Sequence, residues 1–147
     1  MRPPHSYRDD PSVPAFDDAG PRTVMDARCG LCARGARWIA HNDRARAFRI
    51  VPMQSPLGRA LFTHYGLDPD DPSSWLLIHE GRAFTATDAI LRTGALLGGP
   101  WRALALLRLL PFRDAAYHAV ARNRYRLSRP ADLCALPDPE IQARLLQ

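Results

Sequence analysis

Short apolar runs alternate with longer stretches of helical period along this chain, and that alternation predicts a mixed α/β domain. Thr23, Val24 and Met25 follow Arg22 in a run of strand length, and Ala47 to Pro52 carries Phe48, Ile50 and Val51 in a second. Between them, from about Gly30 to Asn42, Leu31, Ala36, Ile39 and Ala40 mark an inner helix face, with Arg34, Arg37 and His41 left for solvent. Strand, helix, strand implies a parallel pair joined by a right-handed crossover.

Ser55 as N-cap and Pro56 at the first helical position open another helix through Leu57, Leu61 and Phe62 to Tyr65, and Gly66 is placed to stop it. A Pro- and Asp-rich loop, Leu67 to Ser73, leads to a hairpin in which Trp75–His79 and Arg82–Thr85 flank Glu80-Gly81. Thr87 is positioned to cap a helix from Asp88 to Leu97, which Gly98, Gly99 and Pro100 terminate. The remainder reads as helical: Trp101 to Leu110, Phe112 to about Arg126 beyond Pro111, and a short piece from Pro137 to Leu146. This order predicts a thioredoxin-like α/β fold, a four-stranded mixed sheet flanked by helices, with extra C-terminal helices. The expected division is a disordered Pro- and Asp-rich tail over 1–21 followed by a domain over 22–147, because the tail offers little apolar surface to bury.

Composition narrows the function classes. The net charge of +5 comes from arginine alone, for there is no lysine. The arginines are dispersed, without a basic block or interleaved stacking aromatics, so no nucleic acid is expected. The first twenty residues lack a cationic head followed by an apolar core, and the most apolar stretch, Trp101 to Leu110, is half a membrane span and interrupted by Arg102 and Arg108. The expected location is therefore cytoplasmic, with no integral membrane segment.

Three cysteines are too few for a disulfide scaffold. Cys29 and Cys32 form a C-x-x-C pair at a strand-to-helix junction, where a helix N-terminus stabilises the thiolate that thiol–disulfide exchange requires. Zinc is the competing reading, since C-x-x-C is half of many zinc sites. Cys134 stands alone, however, and His41, His64, His79 and His118 lack ligand spacing, so no metal is expected. None of the histidines has an obvious carboxylate partner in sequence. Cys134 reads either as a small buried hydrophobe or as a third thiol docking near the pair.

The chain also resembles the DCC-type thiol-disulfide oxidoreductases. The match runs from about Arg22 to Cys134: Asp26, Cys29 and Cys32 as D-x-x-C-x-x-C, Val51-Pro52-Met53-Gln54-Ser55, Ser74 before the hairpin at Gly81, Thr87-Asp88-Ala89, and Tyr117 with Arg122-Asn123-Arg124-Tyr125. The resemblance implies dithiol–disulfide exchange without an organic cofactor, between a disulfide-bearing protein or small-molecule thiol substrate and an electron donor. Two departures stand out. Ala27 occupies a position usually held by glycine, and Pro72 is not directly before the strand as a substrate-facing cis-proline would be.

The roles expected are Cys29 as attacking thiolate, nearer the helix end and more exposed, and Cys32 as resolving thiol. Asp26 either moves a proton to or from Cys32 or accepts backbone N–H bonds in the turn. Arg28, with Arg34 and Arg37, adds positive potential. Arg124 and Tyr125 either end a solvated helix or fold back over the dithiol, and Ser74 is a further tuning or substrate-facing candidate. The runner-up is a non-catalytic thioredoxin-like binding module.

Overall fold

The computed structural model describes residues 2–70 and 74–146. Four strands, β1 (Arg22–Met25), β2 (Arg49–Pro52), β3 (Leu76–His79) and β4 (Arg82–Thr85), form one sheet in the order β2-β1-β3-β4. β1 runs parallel to β2 and antiparallel to β3, and β3 pairs antiparallel with β4. The helices are α1 (Gly30–Asn42), α2 (Pro56–His64), α3 (Ala86–Leu97), α4 (Arg113–Leu127) and the short α5 (Pro139–Gln142). This is the thioredoxin-like arrangement.

Alternation along the strands divides the core in two. Val24, Val51, Leu76 and Ile78 face α2 with Leu57, Leu61 and Phe62. Met25 and Ile50 face Ala33, Ala36 and Ala40 of α1, and Leu77 packs with Ile39 of α1 and Ala89 of α3. Ala33 takes the inner-face place expected of Leu31, which is half-buried. A fully buried side chain such as Ile39 contributes about 1.5–3 kcal/mol, so this face alone anchors α1. The Ser55 hydroxyl accepts the Gly58 N–H at 3.0 Å, as an N-cap should. In the hairpin, Glu80 (φ 50°) and Gly81 (φ 72°) are both left-handed, the backbone of a type I′ turn.

Three expectations change. Residues 5–18 dock on the domain instead of forming a loose tail: Tyr7 is 3% exposed and joins the α2 core, and its hydroxyl donates to Asp18 at 2.6 Å. His64 clasps the segment, with Nδ1 2.6 Å from Asp10 Oδ2 and Nε2 2.9 Å from Ser6 Oγ. Tyr7 and Phe16 supply the apolar surface that composition averages hide. His64→Ala should therefore free the segment, seen as faster amide exchange over residues 5–18 and a stability loss of about 1 kcal/mol in urea unfolding.

The second change is at α3. Thr85 precedes the helix without a side-chain cap bond, and Thr87 lies inside the first turn, buried. Third, Gly99–Leu109 is a 3-10 helix rather than an α-helix. Only Trp101, Leu104 and Leu107 of its Trp101–Leu110 stretch are shielded from solvent, a spacing of three that suits three residues per turn. Gly94 of α3 allows the close approach, since a Cβ there would lie 2.6 Å from the Trp101 carbonyl oxygen.

Candidate active site

Cys29 caps α1. It sits at φ −93°, ψ 120°, and its Sγ accepts the Cys32 N–H at 3.4 Å. Its thiol is lowered to about 6, chiefly by the hydrogen bond from Cys32; burial opposes this, while the N–H groups of Cys32 and Leu31 and the charge of Arg124 support it. The Cys32 thiol is pushed up by that same hydrogen bond, by burial and by the negative charges of Cys29 and Asp26. One sulfur thus carries charge readily and the other holds its proton. Cys32→Ala should raise the Cys29 midpoint above about 6, read from thiolate absorbance against pH. A lowered folded-state thiol adds stability above its unfolded value and loses it as pH falls through the folded one. Wild-type stability should therefore climb between pH about 6 and 9.

The expected exposure is reversed. Cys29 has no accessible surface (0%), whereas Cys32 is half-buried. The chain after α4 covers it: Pro130 bridges to Cys29, the Ala131 N–H donates to the Arg28 carbonyl at 3.1 Å, and the Leu133 N–H to the Ala27 carbonyl at 2.8 Å. The Ser128 hydroxyl accepts the Leu31 N–H at 3.0 Å. Gly30 is required beneath this strap, because a Cβ there would lie 2.1 Å from the Arg129 carbonyl oxygen.

Asp26 is 4% exposed and receives several donors. Oδ1 accepts from the Arg28 N–H at 2.9 Å and Gln54 Nε2 at 2.7 Å; Oδ2 accepts from the Tyr125 hydroxyl and from Arg124 Nη2 at 3.4 Å. Burial pushes the carboxyl up, but the bonds from Tyr125, Arg28 and Gln54 and the charge of Arg124 outweigh it and leave it below the ordinary value. α4 therefore folds back onto Asp26, on the turn that leads into the dithiol. Tyr117, Ala121 and Arg124 recur at helical spacing on its inward face, and the Tyr117 hydroxyl accepts the Trp75 N–H at 3.1 Å.

Other expected residues serve elsewhere. Arg28 is exposed and acts through its backbone, Arg37 pairs with Asp138, and the cation acting on both sulfurs is Arg124. Ser74 braces the start of α3, its hydroxyl accepting the Ala86 N–H at 2.7 Å where Ala86 has φ 50°. Ala27 keeps an ordinary backbone, and its N–H donates to Gln54 Oε1 at 3.0 Å. Pro72 lies outside the described residues. Cys134 is half-buried on the apolar cluster that Cys32 also packs against. Carboxylate partners for histidine do exist, including His41 to Asp138 at 3.1 Å, brought together by the fold across 97 positions. Among the described residues, no group of three or more His, Cys, Asp or Glu is placed to hold a metal ion. Gln54 and Ser128 were not singled out as site residues; Gln54 belongs to the Val51–Ser55 signature, while Ser128 has no local sequence signal.

A family model described as DCC1-like thiol-disulfide oxidoreductase matches residues 23–130. An uncharacterised protein of Bacillus subtilis, YuxK, is 31% identical over 125 residues, covering 84% of this chain and 91% of its own length. A chloroplastic DCC family protein of Arabidopsis thaliana is 33% identical over 123 residues, covering 82% of this chain and 72% of its own. No solved structure matches.

Proposed function

The chain belongs to the DCC1-like thiol-disulfide oxidoreductase family, and on that premise we propose that it exchanges a Cys29/Cys32 dithiol with the disulfide of a substrate. Cys29 thiolate attacks one substrate sulfur, forming a mixed disulfide and expelling the other as thiolate. Cys32 then attacks Cys29 Sγ, and its single proton passes to the second substrate sulfur as that sulfur leaves. Two electrons move to the substrate and a Cys29–Cys32 disulfide remains. The sulfurs carry the electron pair, so the reading needs no organic cofactor. The fully bonded Asp26 carboxylate supports the turn-organising role over proton transfer.

The observation that carries this reading is the divergence of two neighbouring thiols at a helix N-terminus, one lowered to about 6 and the other raised. Among the described residues no helix is long and apolar enough to cross a membrane, and a reducing cytoplasm would keep the dithiol in its attacking form. One observation favours the second reading, a non-catalytic binding module: Cys29 lies closed beneath the strap. The test is a redox titration in glutathione buffers together with insulin reduction by dithiothreitol. A single disulfide with a midpoint between about −270 and −120 mV, and insulin reduction lost in Cys29→Ser, are expected. Equal insulin rates for wild type and variant would establish the binding module.

A further inference from the structure

Beside Cys32, between α1, α3, α4 and the 3-10 segment, lies a cavity of about 600 Å³, the size of a small-molecule site. Its wall is mostly apolar, with Met25, Trp38, Ile90 and Leu107 among the lining residues. Two of its residues carry buried polar atoms that lack a bond. Thr87 is 3% exposed, and both its Oγ1 and Trp75 Nε1 are buried without a hydrogen-bond partner among the described residues. Buried polar atoms are nearly always bonded, which makes these two orphans on cavity-lining residues exceptional. The charged lining is three arginines against Asp26. Arg113 pairs with Asp88 and Asp114, and Arg124 with Asp26; Arg34 makes no ion pair among the described residues.

We propose that this cavity binds a small thiol with an apolar body and one anionic oxygen group, and that the ligand sulfur bonds to Cys32 rather than Cys29. The proposal rests on the dithiol reading above. Its geometric ground is that Cys32 lines the cavity, whereas Cys29 does not line it and has no accessible surface. Starting from the Cys29–Cys32 disulfide, the ligand thiolate attacks Cys32 Sγ. A ligand–Cys32 bond forms as the bond to Cys29 breaks, and the electron pair leaves on Cys29, which the site holds as thiolate. A second thiol molecule then attacks the ligand sulfur, releases the ligand disulfide and gives its proton to Cys32. Two thiols are oxidised and one protein disulfide is reduced.

The test has a binding arm and a covalent arm, both on the full chain. Anilinonaphthalene sulfonate, an unreactive aromatic anion, should bind one saturable site by fluorescence. Binding should weaken at least tenfold in Val120→Trp, which narrows the mouth, and in Arg34→Glu. The neutral N-phenylnaphthylamine should weaken only in Val120→Trp. A sulfonate signal unchanged in both variants would place the probe on the exposed Leu109 and Phe112 surface and overturn the site. In the covalent arm, oxidised protein is mixed with 4-mercaptobenzoate, quenched in acid and mapped by mass spectrometry. An adduct on Cys32 is expected, and one on Cys29 overturns the assignment. Should no Cys29–Cys32 disulfide form in any glutathione buffer, the exchange reading fails and takes the Cys32 step with it, while the fluorescence arm still decides the cavity.

Discussion

Arg124→Ala is expected to cost about 3 kcal/mol of stability at neutral pH, since removing one member of a buried ion pair strands the other. Both partners are enclosed, Arg124 at 8% and Asp26 at 4% exposure. Tyr125 and Gln54 still donate to the carboxylate, which keeps the loss near the lower end of the range for such pairs. The acid side supplies the sign. Wild-type Asp26 is lowered, so its contribution is complete above the unfolded value of about 3.9 and disappears as pH falls through the folded one. Without Arg124 the carboxyl keeps the bonds from Tyr125, Arg28 and Gln54 but loses one lowering charge, so its folded value rises and acid unfolding should begin at higher pH. The Cys29 midpoint should also rise from about 6, because Arg124 is the cation that lowers it. Urea unfolding across pH 3–8 and thiolate absorbance measure these effects, and Arg124→Lys should restore part of both. An unchanged Cys29 midpoint would show that α4 braces the fold without tuning the sulfur.

Gly30→Ala should accelerate iodoacetamide alkylation of Cys29 by at least about tenfold, equivalent to lowering the opening cost by ~1.4 kcal/mol. The added Cβ meets the backbone of Arg129 at 2.1 Å, and a carbonyl held by its own chain cannot rotate away as a side-chain tip would. Relief requires the strap from Ser128 to Leu133 to lift, and that strap is what removes Cys29 from solvent. Ser128→Ala deletes only the bond to the Leu31 N–H and should produce a smaller acceleration. Wild-type rates in both variants would mean that Cys29 is reached by another route.

The site was partly legible from local signals. D-x-x-C-x-x-C placed Asp26, Cys29 and Cys32 on one turn because cap geometry depends on only a few consecutive residues. Arg124 and Tyr125 were legible only through the family resemblance. Their bonds to Asp26 span 98 and 99 positions, and nothing in the composition of α4 marks which arginine turns inward. Arg28 illustrates the converse: it adjoins Cys29 in sequence, yet its side chain is exposed and the charge acting on the sulfur comes from Arg124.

By itself the chain's pattern determined the strands, the span of α1, the hairpin and the position of the dithiol, since period, caps and turn residues act over a few neighbouring positions. Tertiary structure alone decided that the N-terminal segment docks through Tyr7 and His64, that Gly99–Leu109 winds three residues per turn, and that Cys29 is covered while Cys32 faces a cavity. Each of these depends on which distant surfaces meet, and accessibility is a property of the packed surface rather than of either cysteine's neighbours.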